Sequence, residues 1–388
     1  MRVSDYVIEF FENKGVDYIF TVSGGGSIFL CDALGMAKKM KYVACHHEQA
    51  ASMATEAYAR ARQGLGVTLV TSGPGGTNAV TGVAGSWLDH VPHITISGQV
   101  FLAQTISKHP GLRTLGVQEI NIVDIVRPIT KYAVMVEDAQ EIRYHLEKAV
   151  YLATHGRPGP TWIDIPANIQ NAKIDPTALK GFDPEEYTVS LDPELEAKVA
   201  HVVKLLKSAS RPLVHVGQGV RIAGAEKEFF KLVETYRLPF VTARNANDMV
   251  PWDHELYAGR PGTFAQRGAN FAVQTSDLYL AVGTRLSLAQ TGYNAKDYAR
   301  NAKVIMVDID QAELDKDTVN LYLKIQTDAK LFLKELNRQL SRAELDNQRW
   351  GRWLAQCQQW KRKYPVVLPE YREQVGSVNS YHFIDILS

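Results

Sequence analysis

A chain of 388 residues exceeds what a single hydrophobic core usually fills, so two or more domains are expected. Hydrophobic residues at 45% and charged residues at 22% describe an ordinary globular composition and exclude extensive disorder. The 43 Lys and Arg against 42 Asp and Glu leave a net charge of +1. That balance supplies no global field for nucleic acid or an anionic membrane and favours a small-molecule partner.

The N-terminus, Met1-Arg2-Val3-Ser4-Asp5, runs directly into an amphipathic pattern without signal-peptide character. Ser4 is placed to cap a first helix that Gly15 closes. From Ser4 to about Gln170, short apolar runs at 17–22, 42–45, 67–71, 93–97 and 161–165 alternate with helical patterns. Alternation of buried strands with helices predicts a parallel sheet covered on both faces. Residues 1–170 therefore read as one domain.

Over 171–192 the pattern lapses into Asp175-Pro176, Asp183-Pro184 and Asp192-Pro193, turn-favouring pairs that predict a surface linker. A second alternating set follows at 212–217, 239–243, 277–283 and 304–309, which makes 193–340 a second doubly wound unit. The predicted fold class is α/β with two doubly wound parallel-sheet domains. Residues 341–388 read as a linker helix and the start of a further element. Trp350, Trp353 and Trp360 stand near helical spacing and are expected to pack on the preceding domain, and Ser380 is placed to cap a last helix.

Cys31, Cys45 and Cys357 are scattered and form none of the close pairs used for zinc or redox work, so they read as reduced thiols of a cytoplasmic protein. No run of about 18 apolar residues predicts a membrane span.

Two segments carry chemistry. His46-His47-Glu48-Gln49-Ala50-Ala51-Ser52-Met53-Ala54-Thr55-Glu56 opens a helix on a carboxylate followed by small residues, which permit close packing against a neighbour or a flat ring. An isolated Glu there is ordinarily just a residue favoured by the helix dipole. Ser72-Gly73-Pro74-Gly75-Gly76-Thr77-Asn78 follows a buried strand and opens a helix, where glycines allow close backbone approach to a ligand. It has neither the Walker spacing nor the dinucleotide spacing, and Gly24-Gly25-Gly26 is likewise only permissive. His46, His47, His90 and His93 show no metal-ligand pattern, and Ser72 lacks the hydrolase elbow, so metal and acyl-transfer chemistry are not expected.

Taken together the chain resembles the acetolactate synthase branch of the thiamine diphosphate enzymes. The resemblance is carried by His47-Glu48-Gln49-Ala50-Ala51, residues 71–78, Ser97-Gly98-Gln99-Val100, Gln118-Glu119, Arg127-Pro128-Ile129-Thr130-Lys131 and Gly156-Arg157-Pro158-Gly159-Pro160. It implies an N-terminal pyrimidine-binding domain in which Glu48 activates the cofactor by sharing a proton with its pyrimidine. Burial at a domain or subunit interface would raise the pKa of Glu48 for that task. It implies that Gln118 lies near the reacting centre, although Val117 replaces the family's Phe. Gly25, Gly26, Thr71, Pro74, Gly75 and Asn78 become cofactor contacts, with the Tyr-Pro that precedes the family's paired glycines absent here.

The family's middle domain often holds FAD in a structural role and often lacks it. Arg157, Gly262, Thr263, Gly283, Thr284, Arg285, Asp308, Ile309 and Asp310 fall where those contacts lie, and flavin occupancy stays open. Lys108, His109 and Arg113 fall in a loop the family places near substrate, against the plainer reading of a solvated loop. Family members continue into a third domain whose Gly-Asp-Gly and downstream Asn bind Mg²⁺ and the diphosphate. No Gly-Asp-Gly occurs here, so the expectation is part of a larger enzyme, or one half of a split one, rather than a competent catalyst by itself.

The implied activity is decarboxylation of a 2-oxo acid, pyruvate first, with carboligation to a second carbonyl, in a homodimer or homotetramer. A simple 2-oxo acid decarboxylase and a non-catalytic binding or regulatory subunit with a separate diphosphate-binding chain are the alternatives.

Overall fold

The computed structural model describes residues 1–109, 111–187, 192–346 and 348–388. The chain divides into two compact units, Met1–Val189 and Ser190–Ser388.

The first unit is built on six parallel strands, β1 (Tyr18–Thr21), β2 (Lys41–Ala44), β3 (Gly66–Val70), β4 (His93–Gln99), β5 (Tyr132–Met135) and β6 (Thr161–Pro166), in the order β2-β1-β3-β4-β6-β5. β5 escapes the sequence pattern because this edge strand is only half-buried along its whole length. Side chains alternate across the sheet. Val67, Leu69, Ile94, Ile96, Ile163 and Ile165 join one apolar cluster with Val3, Val7 and Phe11 of helix α1 (Val3–Asn13) and with Leu30 and Leu34 of α2 (Ile28–Gly35). The opposite face holds Thr68, His93, Thr95, Ser97, Gln99 and Asp164, polar yet almost wholly excluded from water. Helices α3 (Glu48–Arg62) and α4 (Pro74–Asp89) cover part of this face, with Ala79 and Val83 of α4 packed on Trp162.

Ser4 does not cap α1. Arg2 holds the cap position, and Asp5 reaches back to accept from the Arg2 backbone N and Nε, both at 3.1 Å. Ser4 lies inside the first turn with its hydroxyl buried and unpartnered. Gly15 does follow the helix, in the left-handed region at φ +76. Part of the segment expected as a surface linker is tied down instead: Met1 and Ile174 exchange backbone hydrogen bonds at 3.0 Å, and Ile174 and Leu179 are buried. Its residues 188–191 lie outside the described ones.

The second unit repeats the architecture with β7 (Pro212–Val216), β8 (Phe240–Thr242), β9 (Tyr257–Gly259), β10 (Leu278–Val282), β11 (Lys303–Asp308) and β12 (Leu323–Gln326), all parallel, in the order β12-β11-β10-β7-β8-β9. A helix at Gly351–Lys363 packs on its core. Trp350 Nε1 donates to Ala209 O at 3.0 Å and Trp353 Nε1 to Pro212 O at 2.8 Å, so both indoles satisfy their polar atom while burying the ring. The last helix, Ser380–Leu387, is capped by Asn379 rather than Ser380, because the Asn379 side chain accepts from the amides of Tyr381 and His382. Among the described residues no helix is long and apolar enough to cross a membrane.

Candidate functional site

In an open parallel sheet, ligands bind beyond the carboxyl ends of the strands, where the chain order reverses. In the first sheet that place lies between β1 and β3. Three segments converge there: Gly24–Gly26 after β1, Glu48 after β2, and Thr71–Gly75 after β3. Gly26 N donates to Thr71 Oγ1 at 3.0 Å, and Gln170, fully buried, donates from Nε2 to both Gly26 O and Ile165 O at 2.7 Å. Gln170 thus anchors the glycine turn to the sheet, a role the sequence did not single out. Gly25 faces open space, with nothing within 4 Å of where a Cβ would stand.

Glu48 is the first residue of α3 and is 9% exposed. His47 caps the helix, its Nδ1 accepting from Gln49 N at 3.1 Å. Asn78, one turn into α4, donates from Nδ2 to Glu48 Oε2 at 3.0 Å. Among the described residues Oε1 has no hydrogen-bond partner; it stands 3.6 Å from the Cβ position of Gly75. The small residues of α3 serve the contact with α4: a Cβ on Gly82 would lie 2.3 Å from Ser52 Oγ and 2.7 Å from Met53 N. The two helices meet backbone to backbone, and this closeness lets Asn78 reach Glu48.

Below the helices, a directed chain of hydrogen bonds crosses the polar sheet face. Thr55 Oγ1 donates to Ala51 O at 3.0 Å and receives Thr68 Oγ1 at 2.7 Å. Thr68 lies 2.8 Å from His93 Nε2, and Ser86 Oγ lies 2.9 Å from His93 Nδ1. With Thr68 committed as donor to Thr55, the chain closes for a neutral His93 protonated on Nε2. Burial pushes its pKa down to about 3.

Gln118 arrives at the start of α4 by its backbone. It is a non-glycine residue at φ +57, and a Cβ on Gly73 would stand 2.0 Å from Gln118 O. Gly73 is itself at φ +58. Left-handed backbone at a bulky residue persists only where its surroundings impose it. Its side chain is exposed.

The structure therefore brings together Glu48, Asn78, Thr71, Pro74, Gly75, Gly25, Gly26 and the backbone of Gln118. Arg157 lies elsewhere. It precedes β6 and hydrogen-bonds the ring of His90, the residue that ends α4, from Nε at 3.2 Å. The 16 residues of α4 separate it from the Glu48 end, roughly 24 Å at ~1.5 Å per residue. In the loop after β4, Lys108 pairs with Glu137, His109 Nε2 sits 3.0 Å from Ala103 O, and Arg113 is exposed.

In the second sheet the order reverses between β7 and β10. Gly217 N donates to Val282 O at 3.0 Å and Gly219 N to Gly283 O at 2.9 Å, which closes the Gly217–Gly219 turn onto Gly283. This turn is absent from the sequence expectations, although Gly-Gln-Gly directly after an apolar run is its signal. Thr263 N donates to Ala289 O at 3.0 Å and Thr284 Oγ1 to Gln290 Oε1 at 3.3 Å. The short helix Leu288–Thr291 thus joins Gly262–Thr263 to Gly283–Thr284. Lys316 donates to the Arg285 carbonyl. Asp308 ends β11 and Ile309 and Asp310 follow it, with Asp308 accepting from Asp310 N at 3.0 Å and Asp310 from Ala312 N at 2.9 Å. Among the described residues no group of three or more His, Cys, Asp or Glu is arranged to hold a metal ion.

Comparison with known proteins finds matches to both units. The family model described as "Thiamine pyrophosphate enzyme, N-terminal TPP binding domain" matches residues 1–124, and the one described as "Thiamine pyrophosphate enzyme, central domain" matches residues 199–336. The chain is 33% identical over 378 residues to the acetolactate synthase large subunit of Corynebacterium glutamicum, covering 97% of this chain and 58% of that protein. It is 32% identical over 387 residues to the chloroplastic acetolactate synthase of Arabidopsis thaliana, covering 99% of this chain and 56% of that protein. With a probable acetolactate synthase large subunit of Methanocaldococcus jannaschii it shares 34% identity over 359 residues, 90% of this chain and 58% of that protein. The chain thus spans less than two thirds of the length of these relatives.

Proposed function

This chain belongs to the thiamine pyrophosphate enzymes, whose N-terminal and central domains it carries, and from that premise we propose that it serves the decarboxylation of a 2-oxo acid, pyruvate first, with carboligation to a second carbonyl. The observation that carries the proposal is the Glu48 carboxylate, buried at a sheet switch point with Asn78 on one oxygen and open space beside the adjacent Gly25 turn. These residues fit thiamine diphosphate, because a nitrogen heterocycle needs a carboxyl oxygen to share a proton and glycines to admit a flat ring. When bound, that cofactor supplies the carbon nucleophile on which a 2-oxo acid loses carbon dioxide.

The chain's own residues do the rest. Glu48 holds or yields a proton at Oε1, while Asn78 fixes Oε2 and with it the plane of the carboxyl group. Gly25, Gly26, Thr71, Pro74 and Gly75 would form the wall that holds the heterocycle. Gln118 stands at the mouth of the site, where its exposed side chain meets the 2-oxo acid.

In the second unit we assign FAD to the β7–β10 switch point, supported by the two strand-end glycine turns and by Asp308 and Asp310 one strand away. The relatives' names support acetolactate as the product, and branched-chain amino acid synthesis is the pathway we assign to it. The family resemblance, which implies a site shared between subunits, supports at least a homodimer, and the three free thiols support the cytoplasm.

Product analysis from pyruvate with thiamine diphosphate and Mg²⁺, on the full-length or reconstituted enzyme that contains this chain, tests the reading: acetolactate is expected, and acetaldehyde alone overturns the carboligation. Glu48→Gln is expected to abolish turnover at saturating cofactor while the protein stays folded. Unchanged turnover removes Glu48 from the chemistry. Flavin absorbance of the purified protein decides the second site.

A further inference from the structure

Asp164 lies on the polar face of the first sheet, 2% exposed, and the chemistry above makes no use of it. Its carboxylate accepts from Ser97 Oγ at 2.5 Å and from Gln99 Nε2 at 3.1 Å. Trp162 Nε1 in turn donates to Ser97 Oγ at 2.8 Å. Gln99 spends its second amide hydrogen on Ile120 O at 3.1 Å, and its Oε1 accepts from Val100 N at 3.0 Å. Every polar atom of the Gln99 side chain is therefore engaged, and the side chain transmits the position of Asp164 to the backbone two residues past Gln118.

That backbone needs restraint. Gln118 stands in the left-handed region at φ +57 with its carbonyl against Gly73. Glu119, 7% exposed, ties the preceding loop to itself by accepting from Ile106 N at 3.0 Å and Leu115 N at 3.4 Å. The Glu119 ties run within the loop, whereas the Gln99 bond runs from the loop to the sheet. A buried acid is costly where no task requires it, and burial here pushes Asp164 up to about 7, with the nearby Glu119 adding to the rise.

We propose that Asp164 is a positioning residue for Gln118: acting through Gln99, it fixes the Ile120 carbonyl and so holds the left-handed Gln118 backbone over Gly73 at the start of α4. The catalytic consequence rests on the reading of Gln118 as a substrate-facing residue; the positioning does not.

Hydrogen–deuterium exchange on the full protein tests the positioning, using Gln99→Leu, Asp164→Leu and Asp164→Asn. Amides of 116–122 are expected to exchange about tenfold faster in Gln99→Leu and Asp164→Leu. In Asp164→Asn they keep the parent rate, because the Asn oxygen still accepts from Gln99, and α3 keeps its protection in all three. Unchanged exchange over 116–122 in Gln99→Leu overturns the proposal, and so does loosening spread evenly through α3 and β4. If Asp164→Leu fails to fold, Gln99→Leu decides. In turnover, the Michaelis constant for pyruvate is expected to rise about tenfold in Gln99→Leu, with thiamine diphosphate affinity unmoved. A loosened 116–122 with a parental Michaelis constant keeps Asp164 as the positioning residue and instead removes Gln118 from the reacting centre.

Discussion

Asn78 Nδ2 donates to Glu48 Oε2 at 3.0 Å, so the carboxyl group that begins α3 is held by an amide one turn into α4. The pair joins two helices that follow different strands and makes the buried acid dependent on the helix crossing.

Replacing Asn78 by Leu leaves Glu48 Oε2 buried without its donor. A loss of about 1–3 kcal/mol in unfolding free energy is expected, measured by denaturant titration. In the double variant Glu48→Gln with Asn78→Leu the losses should fall short of their sum. Strict additivity would show that the two side chains do not interact.

Gly82→Ala and Gly25→Ala separate packing from binding. An alanine at 82 forces its Cβ into Ser52 and the Met53 amide, and the expected cost is about 1–3 kcal/mol, seen as a lower melting temperature. An alanine at 25 meets nothing in the protein. Its stability should stay within about 0.5 kcal/mol of the parent, while thiamine diphosphate affinity measured by calorimetry falls. A parental affinity in Gly25→Ala would place the heterocycle elsewhere.

Trp353→Phe deprives Pro212 O of its indole donor at the start of β7. A destabilisation of about 1–3 kcal/mol is expected in the second unit. Exchange protection in β7 should drop while β3 and β4 keep theirs, which mass-resolved hydrogen exchange reads directly.

The two units should respond differently to acid. His93 in the first and His215 in the second are pushed by burial from 6.5 down to about 3. An unfolded His takes up a proton that these cannot, so their contribution is fully present above about 6.5 and is lost as the pH falls toward 3. Asp164 acts in the opposite sense, since burial raises it from 3.8 to about 7. Its contribution is fully present below 3.8 and is lost as the pH rises through 7. Between about pH 4 and 6.5 the two slopes oppose each other in the first unit. The second unit, carrying His215, should show the steeper loss of protection on acidification. Asp164→Asn should steepen the first unit's loss, and an unaltered slope in that variant would show that Asp164 does not titrate there.

Much of this organisation is legible in the sequence, for identifiable reasons. Four of the five apolar runs in the first unit and all four in the second sit in sheet interiors, where burial forces β-branched and aliphatic residues together; the fifth is β2, an exposed edge strand. The edge strands β5 and β12, only partly buried, lack that pressure, and the buried β9 is too short, at three residues, to leave a pattern. Cap positions at both ends of the chain shift by one or two residues because Asp5 and Asn379 reach the free amides better than the neighbouring serines. Glu48 and the glycine turns stand out by composition. The polar sheet face is also written in the sequence, as the alternation His93-Ile94-Thr95-Ile96-Ser97 and Trp162-Ile163-Asp164-Ile165, which an apolar-run reading passes over. Gln170 gives no local signal, since its two acceptors belong to residues far off or on the preceding strand.

The approach of Gln118 O to Gly73 also constrains how this molecule can change over generations. A side chain at 73 collides with the 118 carbonyl, and its left-handed φ is closed to most residues in any case. No single replacement at position 73 is then neutral: the segment bearing Gln118 has to be rebuilt first, by a shortened or lengthened loop between β4 and β5. Lineages that alter what the mouth of the site accepts are expected to do so by varying the loop's exposed residues, such as Leu112, Leu115 and Val117, while the hinge between 73 and 118 is inherited unchanged.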